Sequence, residues 1–384
     1  MKRILATLLL LAAAAPGWPQ QKEAPKKGPP PEWLVFVGTY TKPQKSKGIY
    51  AYRFQPSSGK LTPLGVAAET NSPSFLAVHP NQRFLYAANE VNAGMVSAFA
   101  IDSATGKLQA LNQVSTKGGG PCHVAVDRSG KFLYAANYNT GSVAAFPIRD
   151  DGSLEEASAF VQHSGSGANA QRQRGPHAHS MTLSPDNHFV FAADLGLDQV
   201  LGYRFDPSRG GMVTDEPQVT RVAPGSGPRH IAFRPDGRFL YVLSEMAATV
   251  TAFRYDAAKG STEELQVIST LPADYSGAKG SAEIAIHRNG QYLYASNRAG
   301  NDTIAAFHID PTSGKLATIG FVAPRGKTPR NFAIDPTGNW IFTAYQDSDN
   351  MFLYKIDQKT GGLNPVGDAI EVFSPVCVAF AAAK

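Results

Sequence analysis

The residue types in this 384-residue chain that can do chemistry are a scatter of His, Arg and Glu: His123, His177, His179, Arg229, His230, Glu245, Glu283, Arg298 and Arg330, with Gln346 as a further polar group. Imidazoles and carboxylates move protons near neutral pH. Guanidinium groups stabilise a developing oxyanion or clamp a phosphate or carboxylate through paired hydrogen bonds. His177-Ala178-His179 has a spacing that sets two imidazoles on one side of an extended segment, and Asp194, Glu245 and Glu283 offer carboxylates. No third ligand follows at a recognised metal spacing, so no metal and no cofactor is assigned. Gly118-Gly119-Gly120 lacks the Lys-Ser/Thr of a phosphate loop, and Gly165-Ser166-Gly167 lacks the nucleophile-elbow pattern.

The elements that position these residues announce themselves as a repeat. Phe84-Leu85-Tyr86-Ala87-Ala88-Asn89 returns as Phe132-Leu133-Tyr134-Ala135-Ala136-Asn137, with weaker copies beginning at Leu34, Phe189, Phe239, Tyr292 and Trp340. The third positions fall at 36, 86, 134, 191, 241, 294 and 342. In each unit an apolar strand precedes the aromatic one, two more follow, and Pro/Asp/Gly turns such as Arg234-Pro235-Asp236-Gly237 join them. Four antiparallel strands in roughly 50 residues, seven times over, predict an all-β, seven-bladed β-propeller. The first copy lacks its leading strand. Pro375 and Val376-Cys377-Val378-Ala379-Phe380 supply a strand that lacks its aromatic partner. Together they make one blade and close the ring, which removes exposed sheet edges.

That architecture selects positions. First-strand starts and second-strand ends lie at the same end of the ring and converge on one funnel, the place for a ligand. They carry His, Arg and Glu although only 17% of the chain is charged. Structural readings compete with functional ones. His123 is as well explained as a core histidine. Arg229–Glu245 and Glu283–Arg298 would serve as ion pairs between adjacent strands. Asn89, Asn137 and Asn297 read as blade-terminating hydrogen-bond partners. His79, His163, His188, His287 and His308 read as surface or structural residues at turns and strand exteriors.

Composition sets the outer bounds. With 43% hydrophobic residues the chain buries a large core. The net charge is +5, but Lys2, Arg3, Lys22, Lys26 and Lys27 precede Trp33, offset by Glu23 and Glu32, so the body carries about +2. No basic face for nucleic acid is expected. Residues 1–21 read as an export signal, with two cations ahead of the twelve-residue apolar run Ile4–Ala15. That run is too short for a stable membrane span. Residues 22–32 read as a disordered Lys/Pro/Gly linker and 33–384 as the propeller. The expected location is periplasmic or secreted, and the expected state is a monomer. Cys122 and Cys377 lie two blades apart and are expected to be buried thiols.

The order of short motifs resembles the lactonase family of seven-bladed propellers, the bacterial 6-phosphogluconolactonase type related to carboxy-cis,cis-muconate cyclase. The segments that carry it are Val37-Gly38-Thr39-Tyr40-Thr41, Asn71-Ser72-Pro73-Ser74-Phe75-Leu76, Gly175-Pro176-His177-Ala178-His179-Ser180, Gly227-Pro228-Arg229-His230, Ala282-Glu283-Ile284, Ser296-Asn297-Arg298 and Thr328-Pro329-Arg330-Asn331-Phe332. The resemblance implies hydrolysis of a sugar lactone without a cofactor. It maps a catalytic group onto Arg229, Glu245 and His179 or His177, with Arg298 as a further member; the funnel positions His123, His230, Glu283, Arg298, Arg330 and Gln346 are expected to bind substrate. Ser244 and Tyr345 depart from the Asn that the blade pattern leads one to expect. On this reading Arg229 or a histidine stabilises the oxyanion, Glu245 or His179 activates water, and Arg298 and Arg330 hold an anionic substituent. Replacing Arg229 or Glu245 is expected to cut turnover and spare the melting curve. A non-enzymatic exported scaffold and a muconate cycloisomerase are the rival readings. A solvated channel with small, unpaired residues would favour the scaffold.

Overall fold

The computed structural model describes residues 32–42 and 44–384. Seven four-stranded antiparallel sheets are arranged around a central channel. Blade two, Pro73–Val78, Phe84–Asn89, Met95–Ile101 and Leu108–Ser115, shows the common plan from the innermost strand outward. The other innermost strands are Pro121–Val126, Ala178–Leu183, Pro228–Phe233, Ser281–Ile286 and Pro329–Ile334. Blade one takes its innermost strand from the other end of the chain. Pro375–Ala382 pairs antiparallel with Trp33–Thr39, from Trp33 opposite Ala382 to Thr39 opposite Pro375.

The aromatic repeat forms the second strand of every blade, and in blades two to seven all six of its residues are buried. Residues of both faces pack against neighbouring blades, so the pattern is continuously apolar rather than alternating. The central tyrosine carries a hydroxyl into this core and satisfies it across the blade boundary. Tyr86, Tyr134, Tyr241 and Tyr294 donate to the carbonyls of Gly152, Gly211, Gly314 and Gly361 at 2.8–3.0 Å. Gly314 takes φ +72° there, and a Cβ on it would run into the Phe239 ring.

Several histidines are interior rather than exterior. His79 and His287 reach the Gly130 and Gly338 carbonyls of the next blade at 2.9 and 2.7 Å. His163 is locked between Asp194 at 2.6 Å and the Tyr203 hydroxyl at 2.9 Å. Inter-blade packing buries them at strand ends, where a single-chain turn pattern looks exposed. His188 and His308 are exposed.

Asn89, Asn137 and Asn297 close their blades by side-chain bonds to neighbouring loops, for example Asn297 Nδ2 to Thr270 O at 2.5 Å. Cys122 and Cys377 are buried free thiols. The leader expected over 1–21 lies outside the described residues, as does the expected linker apart from Glu32, which is tied to Arg53 at 3.1 Å and Gln55 at 2.8 Å. Among the described residues no helix is long and apolar enough to cross a membrane.

Candidate active site

Two backbone devices, repeated around the ring, aim side chains at the channel. The first is a bulge at the start of the inner strand. In blade two the pairing steps from Pro73 opposite Asn89 to Phe75 opposite Ala88, skipping Ser74. The same step skips Cys122, His179, Arg229, Arg330 and Val376 in their blades, and Ala282 with Glu283 in blade six. A bulged residue leaves the ladder and its side chain is re-aimed. Here all of these except Ala282 line the channel.

The second device is the residue just past the second strand. Its N–H donates to the loop that enters the same blade's inner strand, as Glu245 N does to Gly227 O at 2.7 Å and Arg298 N to Gly280 O at 2.7 Å. The seven residues so held are Tyr40, Glu90, Tyr138, Leu195, Glu245, Arg298 and Gln346. Five of them form the wall of a basin of about 200 Å³ at the mouth, with Cys122, His179 and Arg330 from the bulge ring and Arg172 from a loop. Beneath it lies a constriction of about 10 Å³, bordered by Ser74, Arg229, His230, Glu283 and Asn331. A larger groove of about 560 Å³ runs along the outer strands of blades six and seven, but its lining is chiefly apolar and holds no acid–base pair.

Glu245 is the hub. Its Oε2 accepts from Arg298 Nη2 at 2.6 Å and Arg229 Nε at 3.2 Å, and its Oε1 accepts from Arg172 Nη2 at 2.9 Å. His179 Nε2 stands 4.0 Å from Oε2. Burial alone would raise the Glu245 pKa, but Arg298, Arg229 and Arg172 hold it down to about 2. Arg229 is 2% exposed, and burial with the neighbouring Arg298 and Arg330 lowers it to about 10, so it remains a cation at neutral pH. Its Nη1 also donates to the Ala282 carbonyl and to His230 Nε2. Since arginine only donates, His230 carries its proton on Nδ1 and gives it to Glu283 Oε1 at 2.9 Å. Asn331 Nδ2 and Ile284 N complete the shell of Glu283 at 2.5 and 3.0 Å. Burial pushes Glu283 up to about 7, against the pull of Arg229. Burial, followed by Arg229 and His230, holds the His179 pKa well below its usual value. On the far wall Tyr40 donates to Glu90 Oε2 at 2.8 Å, and the Arg330 guanidinium lies 5.3 Å over the Tyr40 ring and 3.7 Å from Glu90.

The structure sorts the residues expected at the funnel. His179, Glu245, Arg298 and Arg330 meet at the basin, and Arg229, His230 and Glu283 meet in the constriction below. His177 stays at the rim: its ring stacks on Tyr138 at 4.7 Å and its Nδ1 donates to the Tyr138 carbonyl at 2.9 Å. His123 is a core residue, stacked on Phe75 at 4.0 Å and accepting from Met181 N at 3.3 Å. Gln346 is turned away because its strand runs into a short turn, Gln346–Ser348, where its side chain bonds Asp347. The pair expected between Glu283 and Arg298 does not form, since Arg298 leans sideways to Glu245 of the preceding blade. Glu90 and Tyr138 stand at the second-strand ends expected to face the funnel, where no role was assigned to them; Tyr40 and Arg172 were not among the expected site residues. The blade repeat marks Tyr40 too, as a residue that follows a second strand. Nothing in the repeat marks Arg172.

A closed ring of seven four-stranded blades with this charged mouth defines a class, and the chain belongs to it: residues 34–380 match the family described as "Lactonase, 7-bladed beta-propeller". Among its relatives, the 6-phosphogluconolactonase of Bacillus subtilis is 35% identical over 350 residues, covering 91% of this chain and 98% of that one. That of Formosa agariphila is 33% identical over 343 residues, covering 88% and 96%. The solved periplasmic gluconolactonase of Pseudomonas aeruginosa superposes with a TM-score of 0.86 at 33% identity, covering 92% of this chain and all of that one.

Proposed function

We propose that this protein hydrolyses a sugar lactone in the basin at the mouth of its channel. The observation that carries the reading is the basin itself: a neutral histidine, His179, beside a carboxylate already saturated by three arginines, with Arg298 and Arg330 on the wall. The names of the relatives point the same way.

Ring opening needs a base for water, a donor for the carbonyl oxygen, and a proton for the leaving ring oxygen. Glu245 is a poor base, because a carboxylate held near 2 has little affinity for a proton and both its oxygens are engaged. His179 fits better. With its proton on Nδ1, facing Cys122 Sγ at 3.6 Å, Nε2 presents a lone pair to water. His179 takes the water proton as hydroxide adds to the lactone carbonyl. It returns that proton to the ring oxygen as the C–O bond breaks, leaving a hydroxy acid. Arg298 or Arg330 faces the developing oxyanion, a contribution of roughly 3 kcal/mol for a preorganised donor. Arg229 lies under Glu245 and positions it, along with His230, rather than touching substrate. The reading extends to an exported enzyme acting as a monomer on small molecules. The leader-like residues 1–21 and the periplasmic relative support the export.

A pH-stat assay on glucono-1,5-lactone and its 6-phosphate, corrected for spontaneous hydrolysis, tests the reading. Saturable turnover of either is expected. Rates equal to the spontaneous ones on both would overturn it.

A further inference from the structure

Arg172 is the one basin residue set neither by a bulge nor by a strand end. It comes from the connection between Ala159–Gln162 and Ala178–Leu183, the segment His163–His177, which holds no strand. That loop is nevertheless fixed. Gln173, buried, donates through Nε2 to Leu195 O at 2.7 Å and Asp198 Oδ1 at 2.8 Å, and its Oε1 accepts from Asn169 N at 2.8 Å. Asn169 Oδ1 in turn accepts from Arg172 N at 3.0 Å. His177, at the loop's far end, stacks on Tyr138. Arg172 closes the arrangement by donating from Nη2 alone, at 3.1 Å to the Tyr138 hydroxyl and at 2.9 Å to Glu245.

Its Nε and Nη1 make no hydrogen bond to any described residue, and its side chain is 45% exposed, against 19% for Arg298 and 13% for Arg330. The lining charges do not balance either. Arg172, Arg298 and Arg330 face Glu90 and Glu245, and beneath them Arg229 stands with Glu283. The surplus is positive. Arg298 also donates from Nη2 alone and the Arg330 side chain makes no hydrogen bond to any described residue, so Arg172 is set apart by its exposure at the entrance.

We propose that Arg172 is the specificity-determining residue of the basin, reading an anionic substituent, a phosphate or carboxylate, at the end of the lactone remote from the bond that breaks. This rests on the hydrolytic reading above and adds which group the site selects for. Nη2, which both bidentate forks of a guanidinium share, is engaged, but Nε–H and Nη1–H remain to donate singly to an oxoanion, on the most exposed cation of the basin. Anchored at Gln173, it is held ready rather than recruited, so little ordering cost opposes binding.

The test pairs two substrates and two ligands. For Arg172→Gln, the ratio of kcat/KM on 6-phosphoglucono-1,5-lactone to that on glucono-1,5-lactone is expected to fall at least tenfold, mostly through KM for the phosphorylated substrate. Arg172→Lys recovers part of the loss. In calorimetry, wild type binds 6-phosphogluconate more tightly than gluconate, and Arg172→Gln erases the preference. Equal losses on both lactones would show that Arg172 merely props Glu245 and would overturn the proposal, as would an unchanged preference for the phosphorylated ligand. Arg172-dependent binding of 6-phosphogluconate by a protein that hydrolyses neither lactone would uphold the anion site and sink the hydrolytic reading. Hydrolysis without Arg172-dependent discrimination would do the reverse.

Discussion

Glu245 and His179 stand 4.0 Å apart at the channel mouth, yet the hydrogen bonds to the carboxylate come from Arg172, Arg229 and Arg298. This divides the labour. The carboxylate gathers cations from three parts of the ring, and the histidine beside it keeps an uncharged nitrogen for proton transfer.

Glu245→Gln should therefore damage the fold as well as the chemistry. It leaves Arg229, 2% exposed, without its carboxylate. Breaking a buried pair from one side costs about 3–5 kcal/mol. The sequence-based expectation that Glu245 or Arg229 could be replaced with little change in melting does not fit this burial. Urea unfolding at pH 7 reads the loss directly. A free energy of unfolding equal to wild type would show that the arginines are satisfied without the carboxylate.

Glu283 predicts a pH signature. Burial raises its pKa from 4.5 to about 7, so the folded state holds a proton that the unfolded state releases earlier. Its contribution is fully present below pH 4.5 and is lost as pH rises through 7. Wild type should lose about 2 °C or more of melting temperature relative to Glu283→Gln across that window. The buried histidines, whose neutral forms favour higher pH, are common to both proteins. Parallel melting curves from pH 4.5 to 7.5 would contradict the assignment.

The two thiols should be inert in the folded protein. Burial raises Cys122 strongly and pushes Cys377 up to about 12, and both are enclosed. Thiolate is the reactive species, so a disulfide reagent at pH 8 should label neither in native protein and both in denaturant. Rapid labelling before unfolding would mean that the basin floor opens to solvent.

The fold was legible because the repeat is local. A buried Phe/Tyr strand every 50 residues or so, and an inner strand missing from one end and supplied at the other, leave few architectures. The site was legible as far as the repeat extends. Arg229, Glu245, His179 and Arg330 sit at positions that recur in every blade, and Tyr40 could have been found by the same rule. Arg172 could not, because it belongs to a loop that only one blade carries. The partner of Arg298 was also beyond reach, since residues at the mouth bond across blades as readily as within one. His163 looked peripheral because the Asp194 and Tyr203 that enclose it lie on the next blade's strands.

The most direct test of the account is kcat/KM for lactone hydrolysis at pH 7 in His179→Ala, beside a melting curve of the same preparation. General base catalysis is typically worth 10²–10⁴-fold, so a loss of at least about a hundredfold with cooperative unfolding retained is predicted. Turnover within a few fold of wild type would take the proton-transfer step away from His179 and the central claim with it.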